Sequence, residues 1–175
     1  MIQDIQSFDA APWQDRVRVS DIVAFRFPHE DEGSELPKVR PALILDLEER
    51  DGQRFAVLAY GTTSPKLTKT RAPYAVDVVA ADELATASLN RPTRFHGARR
   101  IAVSLSHPWF AVSAKRSTAR LGCLSGQSRE RLQQVRGRIH AERDIRADRR
   151  PARRWPPARP ASVARKARAK ELHHG

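Results

Sequence analysis

Arg40, with Thr62 and Thr63 some twenty residues later, forms the pattern in this chain best suited to chemistry on a phosphate. Arg40 stands at the entrance of Val39-Arg40-Pro41-Ala42-Leu43-Ile44-Leu45, an aliphatic run that reads as a strand packed on both faces. A guanidinium stays protonated and offers planar, two-pronged donors, so a rigidly carried arginine suits a phosphate or carboxylate. A water-capped arginine at a strand mouth is the plainer reading of the same residue. The threonines close a second apolar run, Phe55-Ala56-Val57-Leu58-Ala59-Tyr60, which returns after an Asp51-Gly52 hairpin signal. Antiparallel pairing sets the end of the second strand beside the start of the first, so Thr62 or Thr63 is expected near Arg40. A hydroxyl beside a fixed guanidinium is a phosphate site, although Thr62-Thr63-Ser64-Pro65 is also ordinary turn composition.

A second cluster is Arg91-Pro92-Thr93-Arg94-Phe95-His96-Gly97-Ala98-Arg99-Arg100, four arginines around an aromatic ring and a histidine. That composition suits nucleic acid, with charge for the backbone and Phe95 for a base. The alternative is a solvated loop with Phe95 turned into the core, and for Phe95 alone that is the better reading.

The elements that position these residues are short and strand-rich. Met1 to Asp15 has no usable period and reads as an arm with Trp13 as its anchor. Asp21 to Phe27, closed by Pro28, is a strand, and His29 to Lys38 is an acidic, glycine-bearing loop of the kind that carries function between rigid strands. Tyr74 to Val79 reads as a strand and Ala81 to Ala85 as one helical turn with early acidic residues. Ile101 to Leu105 is another strand, Ser106 to Thr118 is poorly patterned, and Arg120 to Leu124 is the last strand. Ser125 then offers an N-cap for a helix to about Arg143, with Leu132, Val135 and Ile139 on one stripe. Short hairpin-linked strands closed by one helix predict a mainly β protein, a small, strongly bent antiparallel barrel.

Composition divides the chain. Of 175 residues carrying a net charge of +12, residues 145–175 hold ten Lys and Arg against two Asp and Glu. They are also proline-rich and poor in branched apolar residues, so they read as a basic, disordered tail. The expected organisation is an arm over 1–16, a barrel domain over 17–144 and the tail over 145–175. One cysteine, Cys123, excludes an internal disulfide and a CxxC zinc site. No signal peptide or membrane span is recognisable, and a cytoplasmic protein is expected.

With these residues in place, the body resembles the MazF/PemK family of bacterial toxins. Asp21-Ile22-Val23 is similar to the family's first strand, with Ser20 where glycine is usual. Gly33-Ser34-Glu35 followed by Val39-Arg40-Pro41-Ala42-Leu43-Ile44-Leu45 is similar to its Gly-Ser-Glu loop and Arg-Pro strand at the same separation. Gly61-Thr62-Thr63 resembles the strand end that carries the family's catalytic threonine, and Leu121-Gly122-Cys123-Leu124 leads into the last helix as in the family. Leu36 replaces a common glutamine, and Arg91 to Ile101 replaces the family's Asp-Gln-Ile/Val-Arg segment, which bears on RNA sequence preference.

The resemblance implies an SH3-like barrel acting as a homodimer, which cleaves single-stranded RNA without metal or other cofactor and is blocked by a cognate antitoxin. It implies catalytic roles for Arg40 on the phosphorane charge, Thr62 on the scissile phosphate and Glu35 as the base. His96 is a second candidate base, ranked below Glu35 because histidines in arginine-rich loops are usually contacts. Ser34, Lys38, Thr63, Lys66, Arg94 and Arg99 are the expected RNA contacts. The tail adds either polyanion affinity or only solubility. The competing function classes are a non-catalytic, gyrase-inhibitor-like module on the same barrel and a general RNA-binding protein dominated by its tail.

Overall fold

The computed structural model describes residues 12–28, 37–63 and 72–149. In chain order these form α1 (Trp13–Arg16), β1 (Asp21–Arg26), β2 (Val39–Arg50), β3 (Gln53–Thr63), β4 (Ala75–Val78), α2 (Ala81–Thr86), β5 (Thr93–Ser104), β6 (Arg120–Cys123) and α3 (Gly126–Asp148). The protein is mainly β: one six-stranded antiparallel sheet in the order β4-β5-β3-β2-β1-β6, strongly curled into a half-barrel and followed by a long C-terminal helix. Register shifts lie between Ile22 and Val23, between Ile44 and Asp46, and between Ala59 and Tyr60, and such bulges raise local twist and bend a sheet.

The β2–β3 hairpin turns on Asp51 and Gly52, both at positive φ (51° and 73°), the geometry that matches strand twist in a two-residue turn. It is longer than its apolar runs predicted because charged residues on both sides of the turn continue the ladder to Arg50↔Gln53.

The largest irregularity is in β5. Ala59 pairs with Arg100 and the next residue of β3, Tyr60, pairs with His96, so Gly97, Ala98 and Arg99 stand outside the ladder. The Gly97 N–H donates to the Tyr74 carbonyl at 2.8 Å, and a Cβ at Gly97 would lie 2.8 Å from that same oxygen. This bulge reverses the facing of β5. Phe95 points to the helix side of the sheet, whereas Val103 and Leu105 belong to the core on the other side.

Two apolar layers follow. On one face Val23, Phe25, Ile44, Leu58, Tyr60 and Phe110 pack with Trp13, whose ring meets Phe110 edge-on at 5.2 Å. On the other, Ile22, Leu43, Leu45 and Phe95 meet Leu132 and Val135 of α3, with Ile139 half-buried at the end of the stripe. Trp13 thus anchors the end of the predicted arm, as a single helical turn.

Several expectations change. The basic stretch before Ile101 is mostly strand, since β5 begins at Thr93. Phe95 is fully buried, in keeping with the core reading of its ring, so it is not free to stack on a base. The poorly patterned Ser106 to Thr118 forms none of the sheet's strands, yet supplies Trp109 and Phe110 to the Phe25 ring. The last helix runs to Asp148, into the segment read as tail. Ser125 occupies the N-cap position without a side-chain hydrogen bond; the buried Glu83 does that work, accepting the Ser128 N–H at 3.2 Å. Among the described residues no helix is long and apolar enough to cross a membrane.

Candidate functional site

Sheet register assembles the site. Arg40 faces Phe25 of β1, and continuing the β2–β3 register two residues past Ala42↔Tyr60 sets Arg40 opposite Thr62. Thr62 pairs in turn with Arg94 of β5, and Arg94 with Asp77 of β4. Residues directly opposed across a sheet share a face with Cβ atoms ~5 Å apart. Arg40, Thr62, Arg94 and Asp77 therefore form one row across four strands, at the end of the sheet where β2 begins and β3 finishes.

Gly61 explains how closely β2 and β3 approach there. A Cβ at this position would lie 2.3 Å from the Pro41 carbonyl oxygen and 2.8 Å from the Phe95 ring, so no side chain fits between the strands.

The row is unevenly satisfied. Arg94, only 8 % exposed, makes a two-pronged ion pair with Asp77, Nε to Oδ1 at 2.6 Å and Nη2 to Oδ2 at 2.8 Å. That pair fixes Arg94 as a strut beside Thr62. Arg40 differs: its Nε is one of three buried side-chain nitrogen or oxygen atoms without a hydrogen-bond partner among the described residues. A buried donor left unpaired costs about 1–3 kcal/mol, and an anionic oxygen at the row would relieve that cost.

His96 lies two residues along β5 from Arg94 on the same face, opposite Tyr60 and next to Ala75. Burial first, then the charges of Arg94 and Arg99, push its imidazole below its ordinary pKa, only partly opposed by Asp77. It is thereby neutral and able to accept a proton near pH 7. Arg99, carried by the β5 bulge, stacks its guanidinium over the Tyr60 ring at 5.2 Å, and Phe27 meets Tyr60 edge-on at 5.3 Å. The bulge thus brings a third arginine toward the face that holds Arg40 and His96.

Among the predicted residues, the continued register sets Thr62 opposite Arg40, one of the two threonines the hairpin reasoning allowed, because the bulge between Ile44 and Asp46 shifts the ladder by one residue. Thr63 is exposed, pairs with Thr93 and, alternating with Thr62, faces the other side. Lys38 is exposed just before β2, and Arg26 of β1 reaches the neighbouring Pro37 carbonyl at 3.0 Å. Arg94 is in the row but buried and held by Asp77, so it shapes the site more than it offers a free surface cation. Glu35, Ser34 and Lys66 lie outside the described residues. Asp77 was missed by sequence reasoning; the signal available was a lone carboxylate interrupting the apolar run from Tyr74 to Val79. Among the described residues no three His, Cys, Asp or Glu side chains converge as a metal ion would require.

In chemical terms the row can bind an anion through Arg40 and the Thr62 hydroxyl and place it near a neutral imidazole. No protein-family model matches the chain, and no curated protein matches it.

Proposed function

We propose that this chain is a metal-independent endoribonuclease, a toxin of the type held in check by a cognate antitoxin, which cleaves single-stranded RNA through the substrate's own 2'-hydroxyl. The reading is carried by the β2–β3 register, which continued two residues past Ala42↔Tyr60 sets Arg40 opposite Thr62, and by the buried Arg40 Nε without a hydrogen-bond partner among the described residues. The order of the sequence motifs supports it independently.

In the proposed reaction the 2'-oxygen attacks phosphorus and its proton passes to a base. The P–O5' bond breaks, leaving a 2',3'-cyclic phosphate and a 5'-oxygen that takes a proton from the now protonated base or from water. Arg40 stabilises the additional charge on the phosphorane, an effect that grows where water is excluded. The Thr62 hydroxyl donates to a non-bridging oxygen and orients the phosphate. Arg40 is too weak an acid to give up a proton, so its help to the leaving oxygen is electrostatic. His96 is the best proton acceptor among the described residues, being neutral and on the same face. Glu35 keeps its candidacy on the sequence alone.

The test is incubation of the purified protein with a long single-stranded RNA in EDTA, with the new ends mapped, for wild type, Arg40→Ala, Thr62→Ala, His96→Ala and Glu35→Ala. Discrete cuts ending in 2',3'-cyclic phosphate, lost with Arg40 and Thr62, are expected. RNA left intact by the wild-type protein overturns the reading in favour of a non-catalytic binding module.

A further inference from the structure

A cleft at the outer edge of the sheet, about 790 Å³ in volume, lies between α1 and the segment leading into β6. Its rim carries Arg16, Arg18, Arg116 and Arg120, all exposed, over the buried Trp13. Two carboxylates also border it, and both are engaged. Asp21 holds Arg120 at 2.9 Å and accepts the Arg18 backbone N–H at 2.9 Å, while Asp15 is 4.0 Å from Arg54. No ion pair among the described residues engages the guanidinium of Arg16, Arg18 or Arg116. Three cations sharing one concave surface repel one another, and that field favours a polyanion. The cleft is wide and open, which suits a chain of phosphates better than a single ion.

A second depression, about 340 Å³, starts at Thr63 and is walled by Pro41, Asn90, Arg91 and Leu121. Leu121 borders both depressions, with the Thr63 depression on the helix side of the sheet. Thr63 is the chain neighbour of Thr62 in the candidate row. Asp21, at the cleft, is four residues along β1 from Phe25, the partner of Arg40, or about 13 Å at strand spacing. A strand leaving the row on the Phe25 face therefore has the arginines within about 13 Å along β1.

We infer that this cleft holds the phosphodiester backbone of single-stranded RNA flanking the cleaved bond, with Arg16, Arg18 and Arg116 as its phosphate contacts. The inference rests on the ribonuclease reading for its substrate, and its test separates the two. Each phosphate neutralised on a single strand contributes about −0.7 to the slope of log K against log salt, so three contacts contribute about −2.

The full chain is titrated by fluorescence anisotropy with labelled 2'-O-methyl oligouridylates of 4 and 12 nucleotides, which resist 2'-hydroxyl cleavage, between 50 and 300 mM salt. The variant is Arg16→Ala/Arg18→Ala/Arg116→Ala, and the control, which removes equal charge from α3 and its C-cap, is Arg129→Ala/Arg146→Ala/Arg149→Ala. The expected result is a slope for the 12-mer about 2 units shallower in the cleft variant alone, with the 4-mer bound within about twofold of wild type. An unchanged 12-mer slope, an equal loss in the control, or a loss confined to phosphatidylserine vesicles overturns the inference. Cutting of long RNA is followed alongside. Cuts that persist with an unchanged slope sink the cleft and leave the enzyme standing, whereas a reduced slope without any cutting by wild type supports the cleft and sinks the enzyme.

Discussion

At the scale of the residue, the proposed cleavage turns on one guanidinium, one hydroxyl and one imidazole. Arg40→Ala is expected to lower kcat/KM for RNA cleavage by about 10²–10³, the usual effect of removing one donor from developing oxyanion charge. Thr62→Ala removes a single hydrogen bond to a charged group, worth about 1.5–3 kcal/mol, so the loss is roughly 10- to 100-fold, and Thr62→Ser should recover most of it. Single-turnover cleavage measures both. The pH dependence identifies the base. A group that works as a base is lost as pH falls through its pKa, and burial with Arg94 and Arg99 sets His96 below 6.5. The acid limb of kcat/KM should therefore lie below 6.5, and Arg99→Ala, by removing a neighbouring cation, should move it upward. A limb near 4–5 that ignores Arg99 would assign the base to a carboxylate such as Glu35.

At the scale of the element, the site depends on how closely two strands approach and on how one helix starts. Gly61→Ala places a methyl group against the Pro41 carbonyl and the Phe95 ring, and an expected destabilisation of about 1–3 kcal/mol in urea should come with loss of cleavage. Glu83→Ala leaves the buried Ser128 N–H without its acceptor and should cost about 1–2 kcal/mol with the row intact, so binding at the site survives. Much of this was legible in advance. The Asp51-Gly52 turn brings the Thr62-Thr63 pair back to Arg40, although only the bulge between Ile44 and Asp46 selects Thr62 over Thr63, and Leu132, Val135 and Ile139 mark the packed face of α3. Other features were not, because they depend on contacts between distant segments. Alternation along Thr93 to Ser104 changes phase at Gly97 to Arg99, so β5 reads as loop and then strand. Glu83 caps a helix forty residues away, for which a local search offers Ser125 instead. Arg94 reads as a surface cation until β4 brings Asp77 beside it.

At the scale of the whole molecule, charge joins the distal half of α3 to the sheet. Asp46 contacts Arg136 at 3.2 Å and His140 at 2.9 Å, and Glu48 contacts Arg143 at 3.1 Å as well as Arg50. The hydrogen bond from Arg50 leads the effects holding Glu48 below its ordinary pKa, with Arg143 adding to it. A depressed carboxylate contributes stability above its unfolded pKa and loses it as pH falls through the folded value. Through the Arg143 part of this effect, docking of the half-helix should weaken as pH falls below the ordinary carboxylate range, and more so in high salt, as followed by amide exchange of residues 140–148. The β5 bulge divides the sheet in a similar way. Three residues without ladder partners interrupt the hydrogen bonds that would couple the two ends of β3 and β5, making the bulge a seam between cooperative units. The hairpin end, carrying the long β2–β3 ladder, is expected to protect its amides as one block. Amides around Thr62, Arg94 and His96 should exchange separately and faster, and equal protection on both sides of Gly97 to Arg99 would show that the sheet opens as one unit.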